Sequence, residues 1–256
     1  MNFKDYVENI RFKIIQPEHS AFIEPQKPYD EQGYTGKFSL KDVPRHNVKD
    51  EITNTILPEG QAEMEKRLFG LCKIPRGSTF AIASIINRGI SEMAETDAYV
   101  NIGTWFGFTF FAGMIDNPDK ICIGVDNFSE LNPSGNVKEA FNLLFARYKK
   151  SPKHNFFDRD YIDYFEKIHK EKIGFYLYDA NHTYENQLKG LQIAEPFFSD
   201  NCIIMIDDTN GEEVYQSIID FMALSKYKYE IILDKITALC GNPTFWNGIV
   251  ILRKIG

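Results

Sequence analysis

After Thr96 the chain alternates short, nearly continuous apolar runs with stretches whose apolar residues recur at helical spacing. No other feature constrains the fold as much. The apolar runs are 98–102, 121–126, 154–157, 174–179, 202–207, 227–233 and 248–252, and helical patterns lie at 107–115, 137–149, 161–170, 184–194 and 212–225. Strands without a polar side are buried on both faces, which requires helices above and below a mostly parallel sheet. The pattern predicts an α/β fold with a doubly wound, seven-stranded sheet. Only a loop, 234–247, separates the last two strands, so the sheet is expected to end in a C-terminal antiparallel hairpin.

The first 58 residues read differently. Pro17, Pro25, Pro28, Pro44 and Pro58 interrupt any period, and turn formers alternate with aromatics. We expect residues 1–58 to form an N-terminal arm or lid, with Phe22, Tyr29, Tyr34 and Phe38 available to bury over an acceptor or against a second subunit of a homo-oligomer. Residues 59–256 form the main domain, led by helices at 59–71 and 79–93, the second patterned by Phe80, Ile82, Ala83, Ile86 and Ile90.

Charge narrows the partners. Lys and Arg number 29 against 36 Asp and Glu, a net charge of −7, and the cations are scattered rather than gathered on one stripe, which argues against nucleic acid. No apolar run approaches the ~18 residues that cross a bilayer, and the opening MNFKDYVENIRFK mixes both charge signs. A cytoplasmic protein without a membrane partner is expected. Cys72, Cys122, Cys202 and Cys240 form no CxxC, which disfavours a zinc site or a disulfide framework.

In an open α/β sheet, ligands bind at the carboxyl ends of the strands, and here those ends are rich in acids. The first strand runs into NIGTWFGFT, where Gly103 and Gly107 permit a sharp turn into a helix and close approach of a ligand. Asp126 ends the next strand, where a carboxylate accepts from ribose hydroxyls. Together these favour a nucleoside ligand, with Asp160 at the following turn near its base. Tight packing of the glycines and an Asx-turn at Asp126 are the competing structural explanations. Asp179, Asp207 and Asp208 end two strands expected to be neighbours. Three carboxylates held that close repel unless a cation lies among them, and an all-oxygen set suits Mg²⁺. Each could instead cap a helix. His182, three residues after Asp179, stands where a group titrating near neutrality serves as a general base.

With these residues in view, the chain resembles the class I S-adenosylmethionine (SAM)-dependent methyltransferases, and within them the metal-dependent sugar O-methyltransferases of the macrocin and mycinamicin type. The resemblance covers about residues 95–215, with the strand-and-hairpin ending extending it to the C-terminus. NIGTWFGFT resembles the cofactor loop of that family, with Asn101 in place of the usual acid, and IGVDNF resembles its ribose-binding strand end. YDANHTYE followed by IMIDDTN is the more specific part. The resemblance implies a Rossmann-like sheet and SAM held by Asn101, Gly103, Thr104, Gly107, Thr109, Asp126, Asp160 and Asp179. It further implies a divalent metal, Mg²⁺ by preference, on Asp179, Asp207 and Asp208, with His182 as catalytic base. The implied acceptor is a hydroxyl of a sugar, including nucleotide-linked sugars. Two other readings of the same rim are a nicotinamide-dependent oxidoreductase, which lacks the middle glycine of its fingerprint here, and a binding module whose acids only cap helices.

Overall fold

The computed structural model describes residues 1–14, 47–132, 135–238 and 240–255. Residues 15–46, which hold the aromatics Phe22, Tyr29, Tyr34 and Phe38 of the expected arm, lie outside them. The described fold opens with α1 (Phe3–Glu8), β1 (Arg11–Phe12), α2 (Val48–Asn54) and β2 (Thr55–Ile56), the two short strands pairing antiparallel. Helices α3 (Ala62–Leu68) and α4 (Phe80–Glu92) follow. Strand and helix then alternate as β3 (Ala98–Ile102), α5 (Phe108–Met114), β4 (Ile121–Asp126), α6 (Val137–Tyr148), β5 (His154–Asp158) and α7 (Tyr161–Lys167). The chain continues through β6 (Ile173–Tyr178), α8 (Tyr184–Ala194), β7 (Phe198–Asp207), α9 (Glu212–Leu224), β8 (Tyr229–Lys235) and β9 (Ile249–Lys254).

Strands β3 to β9 make one seven-stranded sheet in the order β5-β4-β3-β6-β7-β9-β8. The first five pair in parallel, and β9 runs antiparallel to both β7 and β8, so the expected doubly wound sheet and its terminal hairpin are both present. The last strand, not the first of the hairpin, joins the parallel body. From β3 the crossovers step outward one way to β4 and β5 and the other way through β6, which opens a crevice at the carboxyl ends of β3 and β6.

Both faces are covered. On one side Tyr99 and Phe175 of the sheet share a core with Phe110 and Phe111 of α5 and with α4, and on the other Tyr176 shares a core with Tyr164 and Phe165 of α7 and Leu191 of α8. In α4, Phe80, Ala81, Ile82, Ala83, Ile85, Ile86 and Ile90 are each at most 1% exposed, so the helix is buried all round except at its C-terminal turn, where Arg88, Ser91 and Glu92 reach solvent. It lies between the sheet and the N-terminal elements: at Gly89 a Cβ would stand 2.5 Å from the ring of Phe175 on β6 and 2.9 Å from that of Phe3 on α1.

That N-terminal layer is held by a buried ion pair. Glu51 on α2 meets Arg76 through two bonds, Nη1 to Oε1 at 2.9 Å and Nη2 to Oε2 at 2.6 Å, and Arg76 also donates to the carbonyls of Cys72 and Ser78. Glu51 is fully buried and Arg76 is 6% exposed, so the pair persists because almost every donor and acceptor is matched. Described parts of residues 1–58 thus contribute Phe3, Tyr6, Ile52 and Leu57 to the same core as the sheet. Among the described residues, no helix is long and apolar enough to cross a membrane.

Candidate functional site

The turn after β3 is shaped by its glycines and by one carboxylate. Gly103 has φ +80°, and a Cβ there would lie 1.9 Å from the Asp179 carbonyl oxygen, because the loop is squeezed between the ends of β4 and β6. Gly103 N donates to Val125 O at 2.9 Å and Asp179 N donates to Ile102 O at 2.9 Å, closing that junction. Trp105 also has positive φ, 47°, a conformation that a bulky residue adopts only when its surroundings hold it there. What holds it is Asp126, whose Oδ2 accepts from the backbone amides of Thr104 and Trp105, both at 2.8 Å, while Oδ1 accepts from Phe128 N at 2.7 Å. The Asx-turn considered from sequence is therefore real, and it coexists with free acceptor capacity, since Oδ1 has a second lone pair.

Gly103, Asp126, Asp160 and Asp179 converge on one cleft of about 170 Å³, joined by Trp105 and Tyr161. Asp160 is also the N-cap of α7, accepting from Ile162 N at 2.8 Å. The other residues expected in the cofactor site do not line this cleft. Asn101 is buried beneath the loop, where Nδ2 reaches Gly103 O at 3.4 Å and Oδ1 accepts from Thr109 Oγ1 at 3.2 Å. An amide can donate and accept at once, which an ionised acid at this position could not do. Thr104 touches Asp126 through its amide and hydroxyl, and Gly107 turns the loop into α5 at φ +90°. Trp105 and Tyr161 escaped the sequence reading. The Trp side chain two residues after Gly103 was the available signal, but an aromatic in a turn is usually core.

The second group lies at the ends of β6 and β7, which pair with Tyr178 opposite Ile206, so Asp179 and Asp207 follow on adjacent strands. His182 Nε2 stands 3.5 Å from Asp208 Oδ2 and 3.8 Å from Asp179 Oδ1. Its other nitrogen lies 3.3 Å from Oε1 of Gln187, a fully buried residue of α8 that sequence alone did not single out. With that amide accepting, Nδ1 carries the proton and Nε2 faces the carboxylates. Asp207 is 3% exposed, and its Oδ1 has no hydrogen-bond partner.

The electrostatics follow from crowding. Burial pushes Asp179 up to about 6, reinforced by the charges of Asp208 and Asp126 and opposed by His182. Burial, then Asp179 and Asp208, holds Asp207 far above the ordinary carboxylate range. For His182, burial pulls downward, but the bond and charge of Asp179 and the charge of Asp208 prevail and raise it above 6.5. Among the described residues no three acid, Cys or His side chains close into a ready metal cage. His182 lies within 4 Å of both Asp179 and Asp208, where a proton on its ring would offset their mutual repulsion. A buried carboxylate oxygen without a donor, next to two further acids, has the chemistry of a hard-cation site. The arrangement can accept a proton at His182 Nε2.

Comparisons with known proteins bear on the fold that carries this site. Residues 100–209 match the family model of a methyltransferase domain. No curated protein sequence matches the chain significantly. Among solved structures, the chain is similar to an O-methyltransferase from Bacillus cereus in complex with SAH, at 12% identity and a TM-score of 0.54 over 77% of this chain and 92% of that one. It is also similar to the O-methyltransferase TomG from Streptomyces achromogenes, involved in tomaymycin synthesis and in complex with SAM, at 10% identity and a TM-score of 0.54 over 76% of this chain and 89% of that one. Residues 100–209 are thus similar to a methyltransferase domain, and the chain shares the fold of these O-methyltransferases.

Proposed function

We propose that the chain is a SAM-dependent O-methyltransferase acting on a sugar hydroxyl, with His182 as the base and a divalent cation, Mg²⁺ by its donor set, on Asp179, Asp207 and Asp208. One observation carries the reading: the His182 imidazole lies within 4 Å of both Asp179 and Asp208, and Asp179 also lines the cleft beside Gly103. A proton acceptor and the cofactor cleft thus share a residue.

SAM, when bound, supplies the methyl group on a sulfonium, which needs no nucleophile from the protein. A divalent cation supplies Lewis acidity that makes a hydroxyl easier to deprotonate. The chain's own residues supply alignment and the proton path. Gly103 lets the backbone pass close to the cleft, and Asp126, through the second lone pair of Oδ1, is the acceptor for a ribose hydroxyl. His182 takes the acceptor's proton at Nε2, and Asp179 and Asp208 stabilise the imidazolium that forms. Gln187 keeps Nδ1 protonated and the ring oriented, as the orienting group does in other His-based sites.

The test has two arms. Calorimetry should show S-adenosylhomocysteine (SAH) binding while NAD gives no heat, and SAH release from SAM with a panel of nucleotide-linked sugars should stop in excess chelator. Binding of NAD in place of SAH would return the chain to the oxidoreductase reading. Sugar-independent methylation of other hydroxyl compounds alone would remove the sugar.

A further inference from the structure

We infer that the cleft of about 710 Å³ between β1 and the carboxyl end of β8 holds the nucleoside diphosphate end of the acceptor, so that the substrate is a nucleotide-linked sugar rather than a free one. The inference rests on the sugar O-methyltransferase reading and adds which class of sugar the site takes and where its carrier lies.

Position comes first. Strand β9 is antiparallel to both β7 and β8, so β8 ends on the same rim as β7, where Asp207 and Asp208 stand. The cleft lies beyond that end, bordered by Lys235 and by Ile236, Thr237, Asn242 and Thr244 of the following loop. That loop also touches the turn that carries Asp208. Asn210 donates to Thr237 O and accepts from Thr237 N, both at 2.9 Å. The volume falls within the roughly 300–1,000 Å³ of small-molecule sites.

The floor holds an unused donor. Asn242 is 1% exposed, and its Oδ1 accepts from Thr244 N at 3.0 Å and from Thr244 Oγ1 at 2.6 Å. The Thr244 amide fixes which way the Asn242 side chain points, because an NH₂ group could not accept from it. Nδ2 makes no hydrogen bond among the described residues, and Asn242 lines the cleft, so a nearly buried amide is left to donate to a ligand oxygen or ring nitrogen. Beside it Phe12 and Phe245 meet edge to face with centroids 5.1 Å apart, and Ile10 and Ile236 extend an apolar wall on which a planar base can lie.

Charge completes the match. Arg11 and Lys235 are exposed on the cleft, and among the described residues neither is in an ion pair. The nearby acids are already engaged. Asp234 turns to the opposite face of the sheet, where Tyr215 of α9 donates to its Oδ2 at 2.6 Å, and Glu8 lies 3.8 Å from Lys4 Nζ. Two unpaired cations suit phosphate oxygens, one as a planar fork and one as a point charge. A free sugar offers them no anion, and a bare phosphate has no use for the apolar wall. A nucleoside diphosphate uses both.

The experiment follows amide chemical shifts of the full chain in excess chelator, so that no metal bridges ligand and protein. The probes are UDP, GDP, UDP-glucose, GDP-glucose and pyrophosphate. One of the two nucleotides should perturb residues 235–237 and 242–245, bind more tightly than pyrophosphate, and weaken as salt rises. Its glucose conjugate should perturb the same residues and extend the shifts to His182 and residues 208–210. The double variant Arg11→Gln, Lys235→Gln, with an unchanged unfolding temperature, should bind that nucleotide roughly tenfold more weakly. Lys235→Gln alone, with a loss of about threefold, keeps the test if the double variant unfolds. Absence of binding by both nucleotides overturns the proposal, as do shifts confined to the cleft beside Gly103, pyrophosphate binding as tightly as the nucleotide, or affinity unchanged in the variants. Conjugate shifts that stop short of Asp208 also overturn it, since the nucleotide would then bind apart from the acceptor. Because no turnover is read, absence of SAH binding would count against the methyltransferase reading alone.

Discussion

Replacing Asp126 by Asn isolates the carboxylate that ties the glycine turn to the cleft proposed for the cofactor. In the native protein Oδ2 holds the amides of Thr104 and Trp105 and Oδ1 holds that of Phe128, with Trp105 kept at φ 47°. Asn has the same shape but only one acceptor atom. Turned toward the loop, it satisfies Thr104 and Trp105 as neutral bonds and sets its own NH₂ against Phe128 N–H. A charge-assisted bond is worth roughly 1.5–3 kcal/mol and a neutral one about 0.5–1.5, so two weakened bonds and one lost bond cost about 2–4 kcal/mol after allowing for non-additivity. For a chain of this size that lowers Tm by roughly 4–16 °C without ligand. Affinity for SAH should fall as well, by ~1–3 kcal/mol if the ribose uses the remaining lone pair of Oδ1. Circular dichroism melts with and without SAH, alongside calorimetry, separate the two effects. An unliganded Tm within 1 °C of wild type would refute the claim that this carboxylate shapes the turn, and an unchanged SAH affinity would remove the ribose contact.

Four further outcomes follow from the site. Chelation after dialysis should abolish methyl transfer while calorimetric SAH affinity stays within a few-fold, and full activity in chelator would return Asp207 and Asp208 to structural roles. His182→Ala should lower kcat by roughly 10²-fold with cofactor and metal affinities near wild type; the native rate should rise with pH as His182 loses its proton above 6.5, and that limb should vanish in the variant. Because the folded pKa values of Asp179 and Asp207 are raised, the stability they contribute is present below about pH 4 and is lost as pH rises through about 6 and beyond, so Asp207→Asn should raise the metal-free Tm at pH 8 and abolish stabilisation by Mg²⁺; a lower Tm there would contradict the crowding argument. Glu51→Ala should cost at least about 3–5 kcal/mol by leaving Arg76 buried and unpaired, and a denaturant midpoint near wild type would contradict the role given to that ion pair.

The strands were legible because burial on both faces writes an unbroken apolar run. The expected 98–102 and 121–126 coincide with β3 and β4, and 184–194 coincides with α8. The burial of α4 on nearly every side was not legible in this way. Its stripe of Phe80, Ile82, Ile86 and Ile90 predicts a helix, but nothing local says that Ala81 and Ala83 are also buried or that Gly89 meets Phe3 of the N-terminal layer.

Site residues divide along the same line. Glycine at 103 and acids at 126, 160, 179, 207 and 208 could be read from the sequence because strand ends face the crevice whatever the loops do. Whether a side chain there reaches the cleft or turns back to brace its own loop depends on atoms distant in sequence. Asn101 and Thr109 bond each other under the turn, Asp126 serves the loop as well as the cleft, and Gln187 meets His182 from inside α8. The sequence by itself determined the layered sheet and which chemical groups gather at its carboxyl rim, since both follow from periodicity and strand direction. Only the tertiary structure decided which of those groups are partnered, which are left orphaned and how their pKa values move, since desolvation and charge pairing depend on every element packed around a site.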